Sequence, residues 1–503
     1  MGRNTLRAFA SILGTRIGKL ALAVLITPII VRLLGNSNYG DYALILSIFG
    51  LLSTVVHSGI FNGLRKYIAE NRELEGWEDY IFTFYVRVAV FTSITVGLLI
   101  YLASTTQFVT EWFGPEFEQY FVLLAVLVIA NQLYSVARGS LMGFGLEHYS
   151  EPLQILDKFL FGSVAIGLIY LGWGVKGALI GKIIAITVVG FIAFYATRSN
   201  ISFRTVFQRL PENIPRRELL TFNLNSILLA LLTVSLYHVD IILLQPIAGS
   251  EQTGYYKAAL VIAEFLWFVP MAIQYTLVQS VSEMWSDGEY DRVSEIASDV
   301  TRYSLAFILL LIIGLAALAD EFVPLYFGSE FSVAVDPLLL LLPGVLGFAI
   351  ARPIFAIGQG IGDLRQIIYA TASASIVNLV LNLILIPRYG MYGAAVATSI
   401  GYGSMLFFHV WCARRIGFDP LKELRFFRIL ATVLLTAPVI FGLAQIITNI
   451  VLSLTIVPTV GLLLYTAISI KLGVIQPDEI EAVATRMPSP VDKIVYTIHD
   501  LSV

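Results

Sequence analysis

Of 503 residues, 57% are hydrophobic and 13% charged, with a mean hydropathy of +0.81. Soluble domains carry about 25% charged residues, so this composition excludes a water-soluble globular protein. The net charge of −3 says little by itself, and the single cysteine, Cys412, excludes an internal disulfide or a cysteine-built metal site.

A bilayer crossing needs roughly 20 apolar residues. Fourteen such stretches are predicted, at 9–34, 39–62, 81–104, 117–142, 152–172, 176–197, 221–246, 254–282, 300–320, 334–358, 366–386, 391–413, 425–447 and 450–472. The charged start (Arg3, Arg7) leads into a retained first helix rather than a cleavable signal peptide.

The chain repeats itself at an offset of 214 to 216 residues. Gly35-x4-Gly40-x-Tyr42 returns as Gly249-x4-Gly254-x-Tyr256, and Phe113-Gly114-x-Glu116-Phe117 as Phe327-Gly328-x-Glu330-Phe331. Ala137-Arg138 returns as Ala351-Arg352, and Gly174-x2-Gly177-Ala178 as Gly390-x2-Gly393-Ala394. The expected fold is therefore an all-α polytopic membrane protein: two six-helix bundles and two further helices. Six is even, so both bundles enter the membrane from one side, as a parallel repeat. The expected divisions are 1–197 and 221–413 for the bundles, 198–220 for a basic linker, 414–473 for the last two helices and 474–503 for the tail.

Lys and Arg in the loops set orientation. The linker holds Arg198, Arg204, Arg209, Arg216 and Arg217, and the segment after helix twelve holds Arg414, Arg415 and Lys422. The loops near 105–118 and 320–330 are acidic and lack basic residues. Both termini are thus expected in the cytoplasm of a cell-membrane protein. In the tail, Ile480, Val483 and Met487 sit at helical spacing, which reads as a surface helix or as a solvated tail.

Pro28-Ile29-Ile30-Val31-Arg32-Leu33-Leu34-Gly35 followed by Tyr39-Gly40-Asp41-Tyr42 resembles the opening of the polysaccharide-transport family. That family lies within the multidrug/oligosaccharidyl-lipid/polysaccharide exporter superfamily. Asp240-Ile241-Ile242-Leu243-Leu244, then Gly254-Tyr255-Tyr256, resembles its second-half signature. The resemblance covers about 1–473. It implies a flippase moving polyprenyl- or dolichyl-linked glycans from the cytoplasmic to the outer leaflet.

Ionisable residues inside spans are expensive, so each is a pathway candidate. The basic set is Arg16, Lys19, Arg87, Arg138, Arg302 and Arg352, where a guanidinium fork suits phosphate. The alternative for Arg138, Arg302 and Lys158 is snorkelling to the interface. Glu264 and Asp240 are the expected ion-coupling residues, for a proton or sodium gradient; a local structural role for Asp240 stays open. Asn378 and Asn382, one turn apart, line a sugar path or bond between helices. Asn223, Asn225, Gln274 and Gln279 read the same way. Tyr42, Tyr256 and Trp267 are candidates to stack on sugar, while His57 and His238 read as buried, satisfied imidazoles.

No other cofactor, no metal, no nucleic acid and no catalytic residue is expected, since no hydrophilic catalytic loop or phosphate-cradling motif occurs. The partners expected are lipid-linked glycan, membrane lipids and glycan-assembly enzymes, around a monomer. An ion-coupled multidrug exporter on the same scaffold is the competing reading; the excess of intramembrane Arg over acidic residues opposes it.

Overall fold

The structure is a computed structural model that describes residues 3–70, 72, 74–476 and 479, with side chains from Gly14 onward except at 225, 229, 275, 276 and 279. The Ile480–Val483–Met487 stretch and the side chains of Arg3, Arg7, Asn225 and Gln279 lie outside the described residues.

The described residues are almost wholly helical and contain no strand. In chain order come α1 (Arg3–Ser53), a π-helical turn (Thr54–Ser58), α2 (Gly59–Ala69), α3 (Trp77–Ser104), α4 (Gln107–Phe113), α5 (Phe117–Gly143) and α6 (Glu147–Leu168). A second π turn (Ile169–Trp173) leads to α7 (Gly174–Thr197), and a 3-10 turn (Phe203–Phe207) to α8 (Arg216–Phe265) and α9 (Phe268–Ser286). Then follow α10 (Tyr290–Phe327), a 3-10 turn (Ser329–Ala334), α11 (Val335–Ile361), α12 (Leu364–Ile416), α13 (Phe426–Ile446) and α14 (Ile450–Lys471). In hydrocarbon every backbone polar group must be bonded internally, which is why nearly everything is helix.

Among the described residues, ten helices are long and apolar enough to cross a membrane. Four of them, Gly14–Ala69, Glu147–Thr197, Arg216–Phe265 and Leu364–Ile416, run 50 to 56 residues. Each is interrupted at glycine. Gly35 (φ 71°, ψ 173°) and Gly249 (φ 86°, ψ 169°) adopt nearly the same non-helical geometry. Only glycine takes that region without strain of about 1–3 kcal/mol. Gly174 (φ 51°, ψ −133°) matches Gly390 (φ 54°, ψ −130°), and Gly114 (φ 109°, ψ 161°) matches Gly328 (φ 112°, ψ 155°). The sequence repeat is thus also a repeat of backbone breaks.

The chain packs as two compact units: Met1–Ala258 with Leu379–Ala397, and Ala259–Asn378 with Thr398–Val503. In the first, α5 packs on α2, α3 and α7, and α6 packs on α1 and α7. In the second, α11 packs on α9 and α10, and α13 and α14 pack on each other and on α10.

Without a hydrophobic driving force between helices in lipid, close backbone approach through small residues holds such bundles together. Gly139 and Gly143 of α5 face α2, where a Cβ on Gly143 would sit 2.7 Å from Ile68 Cβ and 2.9 Å from the Leu64 carbonyl oxygen. In the second unit, a Cβ on Gly347 of α11 would sit 2.6 Å from the Gly403 Cα of α12. The first unit also contains a reciprocal crossing. Gly40 lies against the Ser250 carbonyl, and Gly254 against the Asn36 carbonyl, so a Cβ on either would overlap backbone. Asn36 and Ser250 are themselves equivalent in the repeat. Asn36 Nδ2 donates to Tyr255 Oη at 2.6 Å and to Glu251 Oε1 at 3.4 Å, which ties the crossing laterally.

Gly143→Val should overpack the α2–α5 contact at about 1–3 kcal/mol. A thermal melt of purified protein should fall by several degrees. Gly167→Val, at a glycine with nothing within 4 Å, should leave the melt unchanged; equal effects would contradict this packing.

Candidate functional site

The polar interior of the first unit is organised by α6. Glu151, Gln154, Asp157 and Lys158 recur at three- and four-residue spacing, which puts them on one face of that helix. Three neighbouring helices send cations to this row. From α5, Arg138 Nη2 pairs with Glu151 Oε1 at 3.1 Å, and its guanidinium lies over the Phe61 ring at 4.9 Å. From α1, Lys19 Nζ donates to Gln154 Oε1 at 2.8 Å, while Gln154 Nε2 donates to Glu151 Oε2 at 2.8 Å. From α7, Lys182 Nζ pairs with Asp157 Oδ2 at 2.9 Å. Arg16 lies within electrostatic reach of Lys19. Lys158 forms no ion pair or hydrogen bond among the described residues.

Among the described residues, the two carboxylates of this row meet four cations: Lys19, Arg138, Lys158 and Lys182. Burying charge in a low-dielectric interior is tolerated where it is paired. Here the pairing leaves an excess of positive charge. A buried seam of that kind attracts an anion.

Lys182 also lines a cavity of about 270 Å³ with Tyr39, Tyr42, Ser47, Lys257 and His238, floored by Ala43, Leu46 and Phe49. Its wall comes from the second half of α1, from α7 and from α8. Gly50 makes room for the His238 ring, since a Cβ there would collide with the imidazole. The cavity falls just under the usual 300–1,000 Å³ of small-molecule sites. A phosphate or a single sugar ring matches this size better than an oligosaccharide. Its polar lining is two lysines, a histidine, two tyrosines and a serine.

Of the residues singled out from sequence, Lys19 and Arg138 come together in the α6 seam, with Arg16 within electrostatic reach of Lys19, and Tyr42 reaches the cavity. The others are placed elsewhere. Arg87 is exposed and is spent on the linker, donating to the Val206 carbonyl at 2.9 Å and to that of Gln208, so it braces the 3-10 turn instead of facing a cavity. Arg302 is fully buried; it pairs with Asp299 at 3.1 Å and with Glu479, which ties the C-terminal segment to α10. It does not snorkel. Arg352, buried in the second unit, stacks over Phe348 at 4.1 Å and reaches Gln274 Oε1 at 3.5 Å.

Asn378 Nδ2 donates to Thr398 Oγ1 at 3.4 Å, a bond between the two arms of α12, and Asn382 is fully buried beyond it. Asp240 is fully buried, accepting from Tyr256 Oη and, at 2.8 Å, from the Ile241 N–H. Tyr256 is thereby used by the protein. Trp267 is packed against Phe348 and Tyr402 at ring distances of 4.2 and 5.2 Å, which leaves it no face for a sugar. Glu264 is half-buried in the second unit. Lys182, Lys257 and Asp157 were passed over in sequence, although the rule that intramembrane charge marks a pathway applies to them equally.

Lys182→Met should leave Asp157 as a buried unpaired charge and cost about 3 kcal/mol. The double variant Asp157→Asn/Lys182→Met should recover most of the melting temperature but not the function of the seam. Full functional recovery in the double variant would make the pair purely structural.

A family profile described as polysaccharide biosynthesis protein matches residues 29–336. A relative named as a probable low-salt glycan biosynthesis flippase, Agl15 of Haloferax volcanii, is 23% identical over 446 residues, covering 87% of this chain and 90% of that protein. Among solved structures, lipid II flippase MurJ in an inward closed conformation superposes with a TM-score of 0.75 at 15% identity, covering 92% of this chain and 98% of that one. An inward-facing multidrug resistance MATE transporter of the same exporter superfamily gives 0.67 at 16% identity, covering 80% and 98%. The chain belongs to the polysaccharide biosynthesis protein family, with the membrane fold shared by MurJ and MATE transporters.

Proposed function

We propose that the chain is a flippase that carries a polyprenyl- or dolichyl-(pyro)phosphate-linked oligosaccharide from the cytoplasmic to the outer leaflet by alternating access, for surface polysaccharide or glycoprotein glycan assembly. The observation that carries this reading is the net-cationic α6 seam opening through Lys182 into the Lys257–His238 cavity. An anionic headgroup has no stable place in hydrocarbon without a cation to pair it, and Lys182 and Lys257 stand at this cavity.

The full topology is part of the same proposal. At 1.5 Å per residue, a straight helix of about 55 residues would reach about 80 Å, against about 30 Å of hydrocarbon. Each long helix broken at its glycine counts as two spans, so the ten become fourteen, arranged as six, six and two. Both termini are then cytoplasmic, in a cell-membrane protein acting as a monomer without catalysis. The crossing at Gly40 and Gly254 lies on the outer side in this topology. It is the contact that has to part for release.

The competing reading is an ion-coupled small-molecule exporter, favoured by the fold shared with MATE transporters. An exporter of organic cations wants an acidic pocket, and the cavity wall holds two lysines instead.

A deletion strain should accumulate lipid-linked glycan on the cytoplasmic leaflet, measured by its protection from externally added glycosidase. Complementation with Lys182→Met/Lys257→Met should restore less than a tenth of surface glycan at equal membrane abundance, while Arg87→Ala should restore most of it. Drug hypersensitivity without leaflet accumulation would favour the exporter instead.

A further inference from the structure

The π-helical turn Thr54–Ser58 interrupts the second apolar stretch of the chain, and π turns gather at functional positions. It carries His57, only 5% exposed, at the meeting of α1, α2, α3 and α5. His57 Nδ1 lies against Gln132 Oε1 of α5. A carboxamide oxygen only accepts, so with Gln132 Oε1 toward the ring the matching tautomer carries its hydrogen on Nδ1 and its basic lone pair on Nε2. His57 Nε2 has no hydrogen-bond partner among the described residues, and neither has Gln132 Nε2 or Asn223 Oδ1. Asn223 of α8 packs on Gly59, two residues beyond His57. Ser135 Oγ reaches the His57 carbonyl at 3.5 Å. His57 Nε2 and the Gln132 amide nitrogen beside the ring are thus buried with their hydrogen-bonding capacity unused among the described residues.

Among the described residues, Lys19 of α1 is held by Gln154 and Asp41 of α1 lies beside Ser250 and Gln245. Arg138 of α5 is held by Glu151, Glu218 of α8 by Arg72, and Asp240 of α8 by Tyr256. On α2, Arg65 is exposed and Lys66 lies over the Tyr67 and Phe222 rings; Arg87 of α3 holds the linker. Tyr85 of α3 bonds the Leu219 carbonyl at 3.5 Å, and Tyr134 Oη of α5 is buried without a hydrogen-bond partner among the described residues. The π turn also joins this node to the cavity. Tyr39, Ala43, Ser47, Gly50, Thr54 and His57 follow one another at helical spacing, and His238 rests on Gly50.

We infer that His57 is a proton-binding site, with Nε2 the atom that takes the proton and Gln132 the group that orients the ring. The row from His57 past Thr54 to His238 connects its loading to the cavity. Among the described residues no carboxylate is seen at the node, which opposes a sodium or divalent cation there. The coupling half of this inference rests on the flippase reading; proton binding itself does not.

Histidine-selective ¹⁵N labelling of the full chain in lipid nanodiscs follows each ring between pH 3 and 8, with His57→Gln assigning the signals among the five histidines. Expected is an Nδ1–H tautomer at pH 8 and arrival of a proton at Nε2 within the range. A ring carrying its hydrogen on Nε2 at pH 8, or holding one state throughout, overturns the site. In cells, a protonophore should lower wild-type surface glycan at least fivefold, while His57→Gln gives a reduced display that the protonophore does not change. Equal protonophore sensitivity in His57→Gln overturns the coupling, with His148→Gln as the control for loss of a histidine elsewhere. If the deletion strain displays normal glycan, the flippase reading fails and the resonance experiment still decides the proton site.

Discussion

The cost of placing charge in hydrocarbon governs this molecule. Each ionisable side chain in a span must be paired, led to water, or kept for a ligand that pairs it transiently. In the first unit two of these solutions appear along α6. Glu151 and Asp157 pair with Arg138 and Lys182, Lys19 Nζ donates to Gln154 Oε1, and Lys158 stays without a partner among the described residues. The positive remainder is what distinguishes this seam from structural ion pairs. Arg302 with Asp299 and Glu479 makes the contrast: there the carboxylates match the guanidinium, and the result is an anchor for a chain segment.

The second organising feature is glycine. Gly35 and Gly249 turn the backbone where a side chain would be strained, and Gly40 and Gly254 then let the following helices touch backbone to backbone. One duplicated motif thus supplies both the bend and the crossing. Because each glycine rests on the residue after the other's bend, the contact is self-complementary, as a duplicated unit paired about a two-fold axis requires. Such contacts hold through close packing and have little hydrophobic driving force. They can part and re-form at modest cost.

Much of the fold was legible in sequence because its signals are periodic and coarse. Long apolar stretches survive as helices, and three of the four repeated motifs as matched glycine breaks. The site was only partly legible. Lys19 and Arg138 stand out in sequence as cations in apolar runs and lie along α6, but Arg87 and Arg302 stand out equally and hold the linker and the C-terminal segment. What separates them is the partner, and partners such as Glu151 for Arg138 or the Val206 carbonyl for Arg87 are set by helix packing that one chain does not spell out. Lys182 and Lys257 carried the same signal as the arginines, without a repeat partner to draw the eye. His57 looked like an ordinary buried imidazole, and only the π turn and the unsatisfied atoms around it say otherwise.

The central claim is that the positive remainder of the first unit receives an anionic lipid headgroup. Native mass spectrometry of the purified chain, offered equal amounts of polyprenyl pyrophosphate and the uncharged polyprenol, measures that preference directly. Wild-type protein should retain the pyrophosphate at least tenfold over the alcohol, and Lys182→Met/Lys257→Met should lose most of that preference. Equal retention of the two lipids by the wild type would contradict the account.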